Sequence, residues 1–266
     1  MLAAQRRERI LELLAREGVV TVTGLAQVLD VSEMTVRRDL DALDADGALT
    51  KVHGGATASQ SVRGREPGFL AKSTLASGAK LAIAKAAAAL VQPGSAIGLT
   101  AGTTTHLVAQ QLRSLRDITI VTNSIRVADV FVDVSPADIA VIVIGGTRTP
   151  SDALVGPMAV DNMRSLNLDI CFMGVHGMDE QAGFTSPNIL EAETNRAFAA
   201  TARQFIVVSD STKWGAVGLA RITPLDEATT VITDTDMPDA ARQVLGAHVE
   251  HVIYAKPEDG ADAPHA

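Results

Sequence analysis

Two sets of residues in this chain have the types and spacing to do chemistry. The first is a row of polar turns, each following a short Val/Ile-rich run: Thr100 to His106 (TAGTTTH) after "IGL", Thr122-Asn123-Ser124 after "ITIV", Gly145-Gly146-Thr147 after "IAVIVI", His176 to Asp179 after "DICFMGV", and Asp210 to Lys213 after "QFIVVS". Gly102 beside the hydroxyls of Thr103, Thr104 and Thr105, at the start of a helix, is a natural anion cradle, because backbone N–H groups and the helix dipole converge there. Lys213 adds a cation. The chemistry indicated is capture of a phosphorylated small molecule at a site drawing on Thr100, Gly102, Thr103, Thr104, Thr105, Asn123, Gly145, Gly146, Asp210 and Lys213. Taken singly, each turn reads equally well as a helix cap, Asn123 as an Asx turn and Lys213 as a solvated lysine. Five polar strand ends together favour the pocket.

The second set is "VSEMTVRRDLDAL", Val31 to Leu43. Ser32 caps a helix and Glu33 complements its dipole. At about 100° per residue, Val36, Leu40 and Leu43 form one apolar stripe, Met34 and Arg38 point away from it, and Thr35 and Arg37 lie on its flanks. Asp39, Asp41, Asp44 and Asp46 fall mostly in the later turns, so the helix is positive in front and negative behind. A recognition helix meets DNA in that polarity, its first residues in the major groove and its acids kept from the phosphates. Ser32, Met34, Thr35, Arg37 and Arg38 are the candidate DNA contacts.

The elements that position these residues follow from periodicity. Ile10, Leu13 and Leu14 predict a helix over 3–16 stopped by Gly18, and Thr23 is placed to cap a short helix burying Leu25, Val28 and Leu29. With the Ser32 helix these make a helix-turn-helix. "GALTKVHGGAT" reads as a turn at Gly47, a strand, and a return at Gly54-Gly55, a wing that brings Lys51 and His53 to the duplex. Residues 58–77 have no sustained period and read as a linker, and 257–266 as a disordered tail. Between them, a helix from Lys80 to Val91 precedes seven apolar runs, "AIGLT", "ITIVTN", "IAVIVIGG", "DICFMGV", "QFIVVSD", "TTVIT" and "HVIYA", alternating with helical spans. That alternation predicts an α/β domain over 78–256 with a largely parallel sheet, and ligands of such sheets sit beyond the carboxyl ends of the strands.

Bulk properties narrow the function. The 266 residues are 47% hydrophobic but only 3% aromatic, so the core is aliphatic. The net charge of −8 opposes DNA binding, and within residues 1–60 seven Lys and Arg against nine Asp and Glu leave −2, so any attraction to a duplex is local. One cysteine, Cys171, excludes an internal disulfide and fits a strand core. His106 and His176 have no sequence-local ligand partner, so no metal is expected, and the absence of G-x-G-x-x-G and G-x-x-x-x-G-K-[ST] argues against a nucleotide cofactor. No run reaches the roughly 20 apolar residues of a membrane span, and the N-terminus does not read as a secretory leader, so a cytoplasmic protein is expected. Glu191 and Glu193 open a helix, where carboxylates favour the dipole or one acts as a base or a sugar-hydroxyl acceptor.

"RRERILELLAREGVVTVTGLAQVLDVSEMTVRRDLDALDADGALTKVHGGA", with "SEMTVRRDL" and "VHGGA" as its specific signatures, resembles the winged helix-turn-helix domain (residues 1–57) of DeoR-type (DeoR/GlpR) bacterial regulators of carbohydrate metabolism. Residues 75–255 look like that family's Rossmann-like α/β effector domain, related in fold to ribose-5-phosphate isomerase. The resemblance implies a repressor of sugar or related metabolic genes, modulated by a phosphorylated sugar and acting as a homo-oligomer, dimer or tetramer, on operator DNA. It departs at Thr100, where many members carry Asp. Two other readings stay open: an isomerase with a DNA-binding appendage, using Glu191 or Glu193 with Lys213, and an oligomerisation module without ligand.

Overall fold

The structure, a computed structural model, describes residues 3–17, 19–45, 49–52, 54–58, 76–135 and 137–257. Gly18, Gly47, His53, nearly all of the expected linker and residues 258–266 of the expected tail lie outside the described residues. The chain divides into two compact units, Met1–Leu75 and Ala76–Ala266.

In the first unit the order is α1 (Ala3–Glu17), β1 (Val19–Thr21), α2 (Val22–Leu29), α3 (Glu33–Ala45), β2 (Leu49–Val52) and β3 (Gly55–Ala58). The strands form an antiparallel sheet in the order β1-β3-β2. Ile10 and Leu14 of α1, Leu25 and Leu29 of α2, and Val36, Leu40 and Leu43 of α3 share one core with Leu49 and Ala56. Gly55 is required by close approach, since a Cβ there would lie 2.1 Å from the Val20 carbonyl oxygen.

Two expectations are corrected here. Thr21, extended at φ −104 and ψ 149, caps α2 by accepting from Gly24 N–H, so Thr23 does not. The helix therefore starts at Val22, and its buried stripe is Val22, Leu25 and Leu29, while Val28 is 62% exposed. The strand β1, which feeds the cap, was not expected: three residues are too few to show a period.

The second unit runs α4 (Ser77–Ala88), β4 (Ala96–Leu99), α5 (Thr103–Leu112), β5 (Ile118–Thr122), α6 (Ile125–Asp129) and β6 (Ile139–Val143). A short hairpin follows, β7 (Thr147–Arg148) and β8 (Leu154–Val155), then α7 (Pro157–Arg164), β9 (Leu168–Met173), β10 (Gly177–Asp179), β11 (Gly183–Ser186) and α8 (Ile189–Thr201). The chain closes with β12 (Ala202–Val208), β13 (Ala220–Thr223), β14 (Thr230–Asp234), α9 (Asp239–His248) and β15 (His251–Ala255). The helix expected from Lys80 starts earlier, at Ser77, because nothing interrupts it until Ala76, whose φ is 53.

All seven expected runs enter one sheet, in the order β15-β14-β12-β9-β4-β5-β6, and every pairing in it is parallel. Burial on both faces explains why the inner strands β4, β5, β9, β12 and β14 read as apolar runs, while the edge strands β6 and β15 are partly exposed. Alternate residues feed two separate cores: Cys171, Met173, Phe205 and Val207 face one, Ile170, Phe172, Ile206 and Val208 the other. The carboxyl ends of β4, β5, β9 and β12 carry the turns singled out above. Not expected were the β7–β8 hairpin and the antiparallel sheet β10-β11-β13.

Candidate functional site

On α3, Val36, Leu40 and Leu43 are buried while Met34, Arg37 and Arg38 are exposed, as the wheel requires. Ser32 Oγ accepts from Thr35 N–H at 3.2 Å and lies 3.0 Å from Thr35 Oγ1, which fixes the first turn. Arg37 Nη2 donates to Glu33 Oε2 at 3.2 Å, and Thr23 Oγ1 donates to Glu33 Oε1 at 3.0 Å. Arg38 has no ion-pair partner among the described residues.

The acids behind the arginines are not simply a solvated rear face. Asp39 is 2% exposed and accepts from Arg6 Nε at 2.5 Å and Arg7 Nε at 3.1 Å, so one carboxylate pins α3 to α1. Asp41 forms an ion pair with Lys51 Nζ, and Asp44 accepts from Lys51 N–H at 3.0 Å. These two acids hold the wing strand β2 against α3, and Lys51 is a paired cation rather than an unpaired one.

In the second unit, two of the expected sensing residues, Asn123 and Thr100, clip strand ends together. Asn123, 1% exposed, accepts from Ala101 N–H at 2.9 Å through Oδ1 and donates Nδ2 to the Leu154 carbonyl at 3.3 Å. Thr100, fully buried, accepts from Gly174 N–H at 3.2 Å and so joins β4 to β9. Thr105 Oγ1 donates to the Gly102 carbonyl at 3.0 Å. Gly145 and Gly146 both have positive φ, 76 and 122, and a Cβ on Gly146 would lie 2.6 Å from the Val155 carbonyl oxygen. Asp210 Oδ1 accepts from Thr212 N–H at 3.2 Å, closing the turn that leads to Lys213. Thr103 and Thr104 occupy the first turn of α5, whose opening N–H groups have no carbonyl ahead of them. Lys213 is half-buried and without an ion-pair partner among the described residues.

Beside this row lies a cluster of which sequence reasoning singled out only Glu191 and His106. Asp152, at φ +62 and 6% exposed, accepts from Arg126 Nε at 2.7 Å and Arg148 Nε at 2.8 Å. Burial pushes the Asp152 carboxyl up, but the hydrogen bonds and charges of Arg126 and Arg148 outweigh it and hold the pKa below the ordinary value. Glu191, 8% exposed, accepts from Thr149 Oγ1 at 2.8 Å and from Ser151 Oγ. Glu193 is exposed. His106 Nδ1 lies 3.1 Å from the Arg126 carbonyl, and burial pushes its imidazole below the ordinary value. Loop 149–153 thus ties α6, α8 and the β7–β8 hairpin together. Arg126 lies 26 positions from Asp152, and Thr149 lies 42 from Glu191, so no local spacing marked Arg126, Thr149 or Asp152. The described residues contain no group of three His, Cys, Asp or Glu that could hold a metal, and no helix among them is long and apolar enough to cross a membrane.

Two family profiles match the chain: the DeoR-like helix-turn-helix domain over residues 6–62 and the DeoR C terminal sensor domain over residues 76–235. The chain belongs to the DeoR family. It is a DNA-binding transcriptional regulator with a helix-turn-helix domain and a sensor domain. Among its DeoR-family relatives, the HTH-type transcriptional regulator YgbI of Escherichia coli (strain K12) is 37% identical over 97% of this chain and 100% of that protein. The putative aga operon transcriptional repressor of Escherichia coli O157:H7 is 31% identical over 95% and 94%. The lactose phosphotransferase system repressor of Lactococcus lactis is 32% identical over 88% and 91%. A solved ribose 5-phosphate isomerase A from Methanocaldococcus jannaschii overlaps 51% of this chain and 53% of its own at 19% identity and a TM-score of 0.37, too low to carry a functional argument.

Proposed function

We propose that this DeoR-family regulator is a repressor of sugar or related metabolic genes in the cytoplasm. It binds operator half-sites as a homo-oligomer through α3 and the wing, and loosens or tightens on them when a phosphorylated sugar occupies the carboxyl edge of the parallel sheet. The observation that carries the reading is the division of α3 into a buried Val36-Leu40-Leu43 stripe and an outer face bearing Thr35, Arg37 and Arg38. Two relatives bear names of sugar-operon or sugar-transport repressors, which points to the same class of genes. The first turn of α5 with Thr103 and Thr104, and Lys213 beyond β12, supply the phosphate-binding groups; a single ligand shifts DNA affinity by the difference of its own affinities for the two states.

The test is a thermal-shift screen of pentose, hexose and triose phosphates against the purified chain, followed by gel shifts on duplexes selected from a random library. A phosphorylated sugar that raises Tm and changes operator affinity supports the reading; Lys213→Met then removes both effects. Absence of a shift with every phosphate, alongside intact DNA binding, removes the sensing half. Glu191, held by two hydroxyls, and Lys213 leave an isomerase reading, which turnover of a pentose or hexose phosphate by the same preparation would establish.

A further inference from the structure

The two arginines of α3 are adjacent in sequence, yet their surroundings differ. Arg37 is tied to Glu33 one turn earlier, at 3.2 Å, whereas Arg38 is exposed and has no ion-pair partner among the described residues. Glu33 is itself fixed from a second helix: its other oxygen accepts from Thr23 Oγ1 at 3.0 Å. That bond exists because Thr21, not Thr23, caps α2, which leaves the Thr23 hydroxyl available.

An exposed ion pair of this kind adds little to folding stability. On a surface that meets DNA it is also a liability, since a carboxylate there repels phosphates and lowers general affinity. What the Thr23–Glu33–Arg37 relay does supply is orientation. A guanidinium has five donors in a rigid fork, and one bond to Glu33 leaves enough for a bidentate contact to guanine O6 and N7 while removing most of the swing of the side chain. Arg38, without such an anchor, keeps the freedom to follow a phosphate.

We propose that Glu33 is a specificity-determining positioning residue, which holds Arg37 for a guanine edge and leaves Arg38 to the phosphate backbone. This rests on the reading that the outer face of α3 meets the operator.

The test uses the full-length chain and two duplexes, one selected from a random library by the wild-type protein and one scrambled, with affinities measured across a salt series. Arg38→Ala is expected to weaken binding to both duplexes alike and to lower the salt slope by about 1. Arg37→Ala is expected to lower the ratio of selected to scrambled affinity roughly tenfold or more, with the loss confined to one G·C pair in a panel of single-position variants. Glu33→Gln is expected to bind the scrambled duplex tighter than wild type, yet to lose discrimination at that same pair; Thr23→Val loses it in part. In the Arg37→Ala background, Glu33→Gln changes discrimination no further. A merely structural role would lower both affinities together with Tm and would not raise scrambled binding. The proposal is overturned if Glu33→Gln leaves discrimination intact while Arg37→Ala lowers it, or if the two substitutions add independently. If neither arginine variant alters binding to any duplex, it is the placement of α3 on DNA that fails instead.

Discussion

Replacing Asp39 by Ala tests the packing of the reading head most directly. The carboxylate is 2% exposed and serves two guanidiniums of α1, whose side chains are 12% exposed for Arg6 and 40% for Arg7. Removing one partner of a fully buried pair costs about 3 to 5 kcal/mol, because the other charge is left without compensation. Arg7 rehydrates readily and Arg6 keeps an interaction besides Asp39, so the lower end, about 3 kcal/mol, applies here. A unit of this size holds only about 3 to 9 kcal/mol in all, so the loss removes a third or more of its stability. At roughly 4 to 8 °C per kcal/mol for a small domain, its melting midpoint should fall by about 12 to 24 °C. Differential scanning calorimetry of the full chain should show the transition of the N-terminal unit moving and that of the sensor unit staying in place, with operator binding lost at the temperature where the first has melted. Asp39→Asn keeps an acceptor for one arginine and should shift it less, while the double replacement Arg6→Met with Asp39→Leu, apolar and of similar volume, should recover most of the loss. A first transition displaced by less than about 3 °C in Asp39→Ala would refute the reasoning, since a carboxylate that dispensable was never the anchor of α3.

Three further outcomes follow from the sensor unit. The Asp152 carboxyl is held below its ordinary value of 3.8 by Arg126 and Arg148, so its ion pairs stabilise the fold above that value and are lost as pH falls through the lower, folded one. Between pH 5 and 3 the melting temperature of the second unit should therefore drop more steeply in wild type than in Asp152→Asn, which tolerates the positive φ; parallel curves would dismiss the pair as a stabiliser. Gly146→Ala places a Cβ 2.6 Å from the Val155 carbonyl oxygen at φ 122 and should destabilise this unit by about 1 to 3 kcal/mol in urea titrations, whereas an unchanged midpoint would mean that the β7–β8 hairpin moves freely. Burial pushes the Cys171 thiol far above its ordinary value, so an aromatic disulfide reagent should leave the native chain unlabelled at pH 8 and react with one thiol in denaturant; rapid native labelling would contradict its place in the β9 core.

The parts of the fold that were legible share one property: their signal is local. Runs such as Ile118–Thr122 and Phe205–Val208 are apolar without interruption because parallel strands are buried on both faces, and Val36, Leu40 and Leu43 repeat at the helical period. Strands β10, β11 and β13 were illegible because "GMD", "GFTS" and "ARIT" have no such run; they exist through pairings as remote as Phe184 with Thr223. The capping of α2 was misread by two residues, since Thr21 and Thr23 are chemically equal as caps and only the strand ahead of Thr21 decides between them. At the candidate sensing row, residue types pointed to the polar turns but not to the internal duties of Thr100 and Asn123, whose partners come from other strand ends, or of Asp210, which closes its own turn. Asp39 lies on the edge of the α3 stripe, where an acid signals nothing until α1, 33 positions earlier, brings Arg6 to it.

The pairing of charges in the head also bears on how an acidic protein holds DNA. Arg6 and Arg7 are committed to Asp39, Arg37 to Glu33 and Lys51 to Asp41, so the described cations offer the duplex far less positive field than their number suggests. Each phosphate engaged by one head changes affinity only about threefold between 50 and 200 mM salt, so one head with few free cations binds weakly. In the proposed homo-oligomer, two heads gain by effective concentration what neither has alone, and they keep that gain only while their separation matches the half-sites. Weak single heads therefore make the spacing between them the most sensitive variable in the system. In the proposed homo-oligomer, a ligand that alters the sensor units can then act steeply without touching α3.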